Sequence, residues 1–507
     1  MTLNWQQAQK VADEIAAGWG KPGAPGGAIA LFDAEKLRSI SAGGLADLAQ
    51  NTAFDGDTVV RYASVTKHIF ASLVTGAASQ YLGLEDKLVE HLPQLTGENG
   101  QVTVGRALDM TSGLPDVRET LSLLGLSVYN ATSAAALLAF LAEMGDLSYS
   151  PGSEVSYSNT GYRLVEEALK AKGILFADLI NQQINQPLGT RFTAPETWFD
   201  VVPGLVPGYW QQNNQWLLAS AGLHLSASGC LTGSVTDLSQ WLQHLLSEET
   251  MLARLMATRY LADGRPAGYG LGIARSSVGN VQLAGHGGSH AGYKSYFLLD
   301  PQQKVGLALV ANREDVASFD TALAVMAALQ GESLPERGHS LTPGLYVAEE
   351  AGGWLEVSAS SINWLGAAEN LYHGEQPGEA VSLSSTFPVR LQQEGDTIHG
   401  EIGLAARRFV PVQPESATLA AIQGRWTLPA MRSELVIDGE NMVMGIGPAA
   451  ITATLTPLGK GRLLATAQDG PWQKRFAIQV EGDSLKLLLN RSRMVKYWRD
   501  SGLKRDY

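Results

Sequence analysis

Cysteine is nearly absent: Cys230 is the only one in 507 residues. No internal disulfide can form, so the fold does not depend on oxidising surroundings. Cys230 itself lies in a run of small residues, 226–232, and reads as a packing residue rather than a reactive thiol. Charge is also scarce, at 17% of residues, and it leans acidic, with a formal net charge of −13. That balance argues against a nucleic-acid surface, which needs clustered lysine and arginine. It would instead mildly favour cationic small ligands. No apolar stretch is long enough to span a bilayer, so no membrane partner is expected. Residues 1–7 offer neither a basic leader nor an apolar run with a cleavage site, which makes a cytoplasmic location the expectation. Of the nine histidines, His286 and His290 have the spacing of a zinc pair, but they sit in a glycine-rich stretch read as a turn, with no glutamate between them. No metal, nucleotide or other cofactor is implied.

What is there is globular: 45% of residues are hydrophobic, over a length that suggests roughly two to four domains. Residues 5–18 have helical spacing, 26–32 read as a buried strand, and 37–46 as its antiparallel partner. A helix over 104–114 ends in a glycine turn, and 134–144 is an apolar helix. Turn formers crowd 149–162 before a helix starting near Arg163. A helix over 235–246 precedes strands at 269–273, 281–284, 293–299 and 305–311, and a helix over 320–331 returns after them. The first unit is therefore α+β, an antiparallel sheet with helices, over 1–332. Beyond a linker at 331–338 the helical patterns stop, and the chain repeats itself. Gly344-Leu345-Tyr346 and Leu355-Glu356-Val357 recur as Gly424-Arg425-Trp426 and Leu435-Val436-Ile437, both 80 residues later. Glu394-Gly395-Asp396 recurs as Glu481-Gly482-Asp483, 87 later, so the second copy carries about seven extra residues in between. Two small antiparallel β-barrels are predicted, at 340–416 and 417–507.

Against this frame, Ser64 and Lys67 are spaced to share one face of a helix. A serine hydroxyl is a weak nucleophile until a base takes its proton, and a desolvated lysine amine can help to do so. The same spacing recurs at Ser501 and Lys504 in a polar tail, so the pattern alone is weak. Tyr157 and Asn159, in the turn-rich segment, could supply a proton relay of depressed pKa and an amide to orient lysine and substrate. On its own that pair reads more simply as a tyrosine anchoring a loop. Gly285-His286-Gly287-Gly288-Ser289 follows an apolar strand, where glycines let a substrate backbone approach and a backbone N–H can serve an oxyanion hole. A plain glycine-rich hairpin is the alternative.

Taken in this order, Ser64-x-x-Lys67, Tyr157-x-Asn159 and His286-Gly287-Gly288 resemble the serine β-lactamase and penicillin-binding-protein family of serine hydrolases. Thr111-Ser112-Gly113-Leu114, Pro151-Gly152 and Tyr269-Gly270-Leu271-Gly272 add to the resemblance, which covers residues from about 24 to 330. It implies a β-lactamase-like catalytic domain with Ser64 acylated and Lys67 as the base-side amine. Tyr157 would relay the proton, Asn159 would bond lysine and substrate, and the oxyanion would meet the Ser64 N–H and one near Gly288 or Ser289. Many members carry lysine where His286 stands, so capture of a substrate carboxylate would be weaker here. The histidine and the two trailing lipocalin-like barrels resemble the D-aminopeptidase branch, which implies a small substrate with a free N-terminus, an acyl-enzyme mechanism and a homodimer. In that branch a loop of the last barrel enters the cleft. Residues 467–472 are the counterpart expected here, with Asp469 pairing the substrate's α-ammonium, although Asp469-Gly470 also reads as a simple hairpin turn. A carboxylesterase, or a slow penicillin-binding sensor, would carry the same motifs.

Overall fold

The computed structural model describes residues 3–350 and 352–500. Its first part is built on one antiparallel sheet. Six strands, β1 (Gly27–Asp33), β2 (Leu37–Gly43), β3 (Ala274–Val278), β4 (Val281–His290), β5 (Tyr293–Asp300) and β6 (Val305–Ala311), lie in the order β3-β4-β5-β6-β1-β2. The two ends of the segment meet where β1 pairs with β6, Gly27 opposite Ala311 and Asp33 opposite Val305. These central strands are apolar on both faces because both faces are covered. Ile29, Leu31, Leu307 and Leu309 point to one core, with helices α1 (Trp5–Trp19) and α6 (Ser318–Gln330). Ala28, Ala30, Phe32, Ala308 and Val310 point to a larger one. There lie α2 (Thr66–Thr75), α4 (Thr160–Lys170) and α5 (Val235–Ser247), beyond the short α3 (Val117–Leu123).

The helices expected near 5–18, 235–246 and 320–331 all form, the last ending on Gly331 in the left-handed conformation. One strand reading and one turn reading need correction. Residues 269–273 are not a strand: Gly272 turns there at φ 72°, where a Cβ would meet the Lys67 carbonyl oxygen at 2.6 Å. The glycine-rich stretch from Gly285 to Ser289 is not a turn either, since β4 runs straight through it to His290 and the turn falls on Ala291 and Gly292.

Beyond the linker, nine strands between Gly344–Ala348 and Ala405–Pro411 curl into a nearly closed barrel, and eight between Gly424–Leu428 and Ser492–Arg499 close completely. The repeat is structural. Tyr346 opposes Leu355 as Trp426 opposes Leu435, and the hairpins pair Glu394 with Thr397 and Glu481 with Ser484. The extra residues of the second copy fall in the interval that holds the long hairpin β7 (Arg462–Asp469) and β8 (Trp472–Glu481). Among the described residues of this region, one short α-helix, Ser416–Ala421, and two single 3-10 turns, Pro429–Met431 and Gly447–Ala449, interrupt the strands.

Both barrels are fastened beside α3 and α4. The buried carboxylate of Glu154 accepts from Arg407 of the first barrel and Arg493 of the second, each at 2.5 Å. The Asp116 N–H donates to the Arg491 carbonyl at 2.8 Å, the Arg491 N–H to Glu119 at 2.6 Å, and the hydroxyls of Thr120 and Ser492 meet at 2.8 Å. No helix among the described residues is long and apolar enough to cross a membrane.

Candidate active site

Ser64 lies in the tight turn Ala63–Val65 that feeds α2, and Lys67 follows on the first turn of that helix. Ala63 is held at φ 51°, a left-handed conformation that costs a residue with a Cβ on the order of 1–3 kcal/mol. The Thr66 hydroxyl, donating to the Ala63 carbonyl at 2.6 Å, and the Ser295 hydroxyl, donating to Tyr62 O at 2.6 Å, help hold the turn. The Ser501 and Lys504 pair lies outside the described residues.

Lys67 is completely buried, with three oxygens around Nζ: Ser64 Oγ at 3.1 Å, Asn159 Oδ1 at 2.8 Å and the Ser228 carbonyl at 2.5 Å. Burial holds its amine well below the ordinary lysine range, opposed by Asp116 and reinforced by Arg491 and Arg118. A neutral amine has two N–H donors, and the Asn159 and Ser228 oxygens take both. Its lone pair then faces the Ser64 hydroxyl.

Asn159, just before α4, can offer Oδ1 because its amide nitrogen is occupied: Nδ2 donates to Asp116 Oδ2 at 2.7 Å, and the Asn159 backbone N–H to the same oxygen at 2.8 Å. The other Asp116 oxygen caps α3, accepting from the N–H groups of Arg118 at 3.0 Å and Glu119 at 3.1 Å. Asp116 and the Ser228 carbonyl were missed at the level of sequence. Asp116 follows Thr111-Ser112-Gly113-Leu114 by two residues, and that nearness was the one available signal.

Tyr157 stands across from Lys67, its ring 4.8 Å from Nζ. Its buried hydroxyl is beside the Ser64 hydroxyl, short of a well-formed hydrogen bond. The depressed pKa expected of it is not what the surroundings give. Burial pushes the phenol well up, more than the neighbouring Ser64 hydroxyl draws it down. Tyr157 is thus a protonated donor.

β3 pairs with β4 only as far as Gly285, so the edge from His286 to His290 is open beside Ser64. Gly288 is required: a Cβ there would lie 2.0 Å from the Tyr62 carbonyl oxygen and 3.0 Å from the Ser64 nitrogen. His286 is buried with both ring nitrogens engaged, Nδ1 donating to the Gly287 carbonyl at 2.7 Å and Nε2 accepting from the Tyr269 hydroxyl at 2.8 Å. Burial lowers its pKa to about 3, so it stays neutral and offers a substrate carboxylate no charge.

The expected barrel loop does arrive, but Asp469 is already occupied. It accepts from the Ser127 hydroxyl at 2.6 Å, from the Val128 N–H at 2.8 Å and from Lys474. It therefore anchors the hairpin tip to the segment after α3 and does not line the cavity at Ser64. Trp472 and Lys474 of the same hairpin do line it. That cavity, about 350 Å³, and a second of about 600 Å³ reaching the first barrel meet at Ser64. Ser64, Arg118, Asn159, Ser289 and Arg491 belong to both. The acidic composition therefore misleads about this junction, where Arg118 and Arg491 border both cavities. Asp86, Glu90 and His91 are the one group among the described residues able to share a cation, and Asp86 and His91 already pair at 3.0 Å, outside both cavities.

A serine backed by a buried lysine, an asparagine and a tyrosine on a helix-flanked antiparallel sheet defines the serine β-lactamase class of site. The Beta-lactamase family model matches residues 11–331, and the chain belongs to that family. More particularly, it is similar to a D-aminopeptidase of Cereibacter sphaeroides (24% identical over 485 residues, 90% of this chain and 91% of that one). It is also similar to a D-aminopeptidase of Brucella canis (26% identical over 403 residues, 74% of each). Among solved structures, a penicillin-binding protein homologue from Pyrococcus abyssi matches with a TM-score of 0.55 at 16% identity, over 97% of this chain and 99% of that one. A D-amino acid amidase from Ochrobactrum anthropi matches at 0.53 and 21%, over 64% and 98%.

Proposed function

We propose that the protein is a serine hydrolase that forms an acyl-enzyme on Ser64 and releases D-amino acids from small amides, peptides or esters. The three-oxygen environment of Lys67 carries this reading. Neutral Lys67 takes the Ser64 proton as Oγ bonds to the substrate carbonyl carbon. The Ser64 N–H and that of Gly288 or Ser289 receive the developing oxyanion. As the carbon–nitrogen bond breaks, the Tyr157 hydroxyl gives its proton to the departing nitrogen and is resupplied by the Lys67 ammonium. Water then adds to the ester carbonyl, passes its proton back along the same groups to Ser64 Oγ, and frees the acid.

The names of the relatives support D-aminoacyl substrates. The sequence expectation of a free α-ammonium held by Asp469 gains no support from the contacts of that residue. Matched D- and L-aminoacyl p-nitroanilides and esters test the proposal. Turnover of D-alanyl p-nitroanilide by the unmodified protein, abolished in Ser64→Ala, is expected. Hydrolysis of no D-aminoacyl amide or ester would refute it, and turnover of esters alone would favour a carboxylesterase.

A further inference from the structure

The cations around Ser64 bear on what the substrate carries. Arg118 and Arg491 line both cavities that open there. The Arg118 guanidinium makes no hydrogen bond or ion pair with a described residue and stacks on the Trp472 ring at 4.9 Å. The Arg491 guanidinium lies 4.7 Å over the Tyr157 ring, with Nε 3.8 Å from Glu119. Most acids nearby are committed elsewhere: Asp116 to four N–H donors, Asp469 to Lys474 and the segment after α3, and Glu314 to Gly292, Lys294 and Trp472, while Glu119 accepts the Arg491 N–H and reaches the Arg491 guanidinium only at 3.8 Å. Burial and the neighbouring Arg491 both work against the Arg118 cation, and among acids Asp116 and Glu314 oppose them. Two aromatic rings thus hold two guanidinium groups toward one space beside the nucleophile. An anion there would relieve their repulsion and accept from their planar donor forks.

We propose that Arg118 and Arg491 bind a carboxylate on the acyl part of the substrate, so that acidic acyl groups, such as a D-glutamyl or D-aspartyl residue, are preferred. The inference rests on the acyl-enzyme reading above. Tyr157 lines only the larger cavity, so the leaving nitrogen departs there and the acyl part takes the smaller one, which both arginines border as they also border the larger.

The test compares isosteres that differ in one charge: D-glutamyl against D-glutaminyl p-nitroanilide for the acyl side, and D-alanyl-glycine against D-alanyl-glycinamide for the leaving side. The acid is expected to exceed its amide in kcat/KM by roughly 10- to 100-fold on the acyl side only, the worth of charge-assisted hydrogen bonds. The ratio should collapse toward one in Arg118→Gln and in Arg491→Gln, and fall below one in Arg118→Glu. It should also shrink as salt is raised with the unmodified protein, which needs no variant to fold. A ratio near or below one while the amide is still hydrolysed, or a ratio unchanged in the arginine variants, overturns the proposal. An acid preference confined to the leaving side overturns it too. Failure of every substrate to turn over would instead bring down the acyl-enzyme reading, and this one with it.

Discussion

Replacing Asp116 by Asn exchanges one carboxylate oxygen for NH2 and removes one negative charge from the site. The carboxylate accepts from both nitrogens of Asn159 through one oxygen and from two α3 N–H groups through the other. An amide can keep an oxygen on only one of these sides. If it serves α3, its NH2 confronts two Asn159 donors, and Asn159 relieves the clash by rotating and presenting nitrogen to Lys67. The Lys67–Asn159 hydrogen bond at 2.8 Å is then lost, while the 2.7 Å side-chain bond between residues 159 and 116 reverses its direction. At about 1.5–3 kcal/mol for a bond that becomes charge-assisted as Lys67 takes the proton, acylation should slow by roughly 10- to 100-fold. The sign of the pH effect follows from the same contacts. Asp116 raises the Lys67 pKa. Without its charge the neutral amine forms at lower pH, so the acid limb of the rate profile should move to lower pH while the plateau falls. Single-turnover acylation across pH with a D-aminoacyl ester measures both. A plateau within twofold of the unmodified protein, with the acid limb unmoved, would refute the reasoning.

Three further outcomes follow from individual contacts. Gly288→Ala places a Cβ where the Tyr62 carbonyl and Ser64 nitrogen stand, so the protein should fold by circular dichroism yet lose at least roughly 100-fold in kcat, as an oxyanion hole does when one donor is displaced. Asp469→Asn leaves Lys474 without its buried partner; thermal unfolding should show a loss of about 3–5 kcal/mol, and KM should change alike for substrates with free and blocked amines. Burial raises the Glu119 carboxyl to about 7, so the folded protein binds its proton more tightly than the unfolded chain, and stability should fall as pH rises from about 4.5 through 7, by at most about 3 kcal/mol. Denaturant midpoints across that range should show the slope, and Glu119→Gln should flatten it.

Much of the candidate site was legible from spacing, because Ser64 and Lys67 are neighbours through one helical turn and Tyr157 and Asn159 through one short loop. The sheet was legible where strands are apolar on both faces, as in β1 and β6. Glycine misled in β4, where it reads as a turn former, although Gly288 is there so that the strand can lie against the Tyr62 carbonyl and the Ser64 nitrogen. What sequence could not supply came from distant pieces of chain. Arg491 belongs to the last hairpin, and only the barrel docked on α3 brings it to Tyr157. Asp469 looked like a free acid because Lys474 faces it across a hairpin whose register the sequence leaves open. His286 reads as a mostly neutral and weaker grip on a carboxylate, but that Tyr269 and Gly287 fill both its ring nitrogens is not visible in the sequence.

The central claim is that Ser64 carries the acyl group. A D-aminoacyl ester reaction quenched in acid within its first turnover, followed by intact-mass measurement and peptide mapping, addresses it directly. The account predicts an adduct of the acyl mass on the peptide containing Ser64, absent in Ser64→Ala. Turnover without any adduct in the first turnover, or an adduct on another residue, would contradict it.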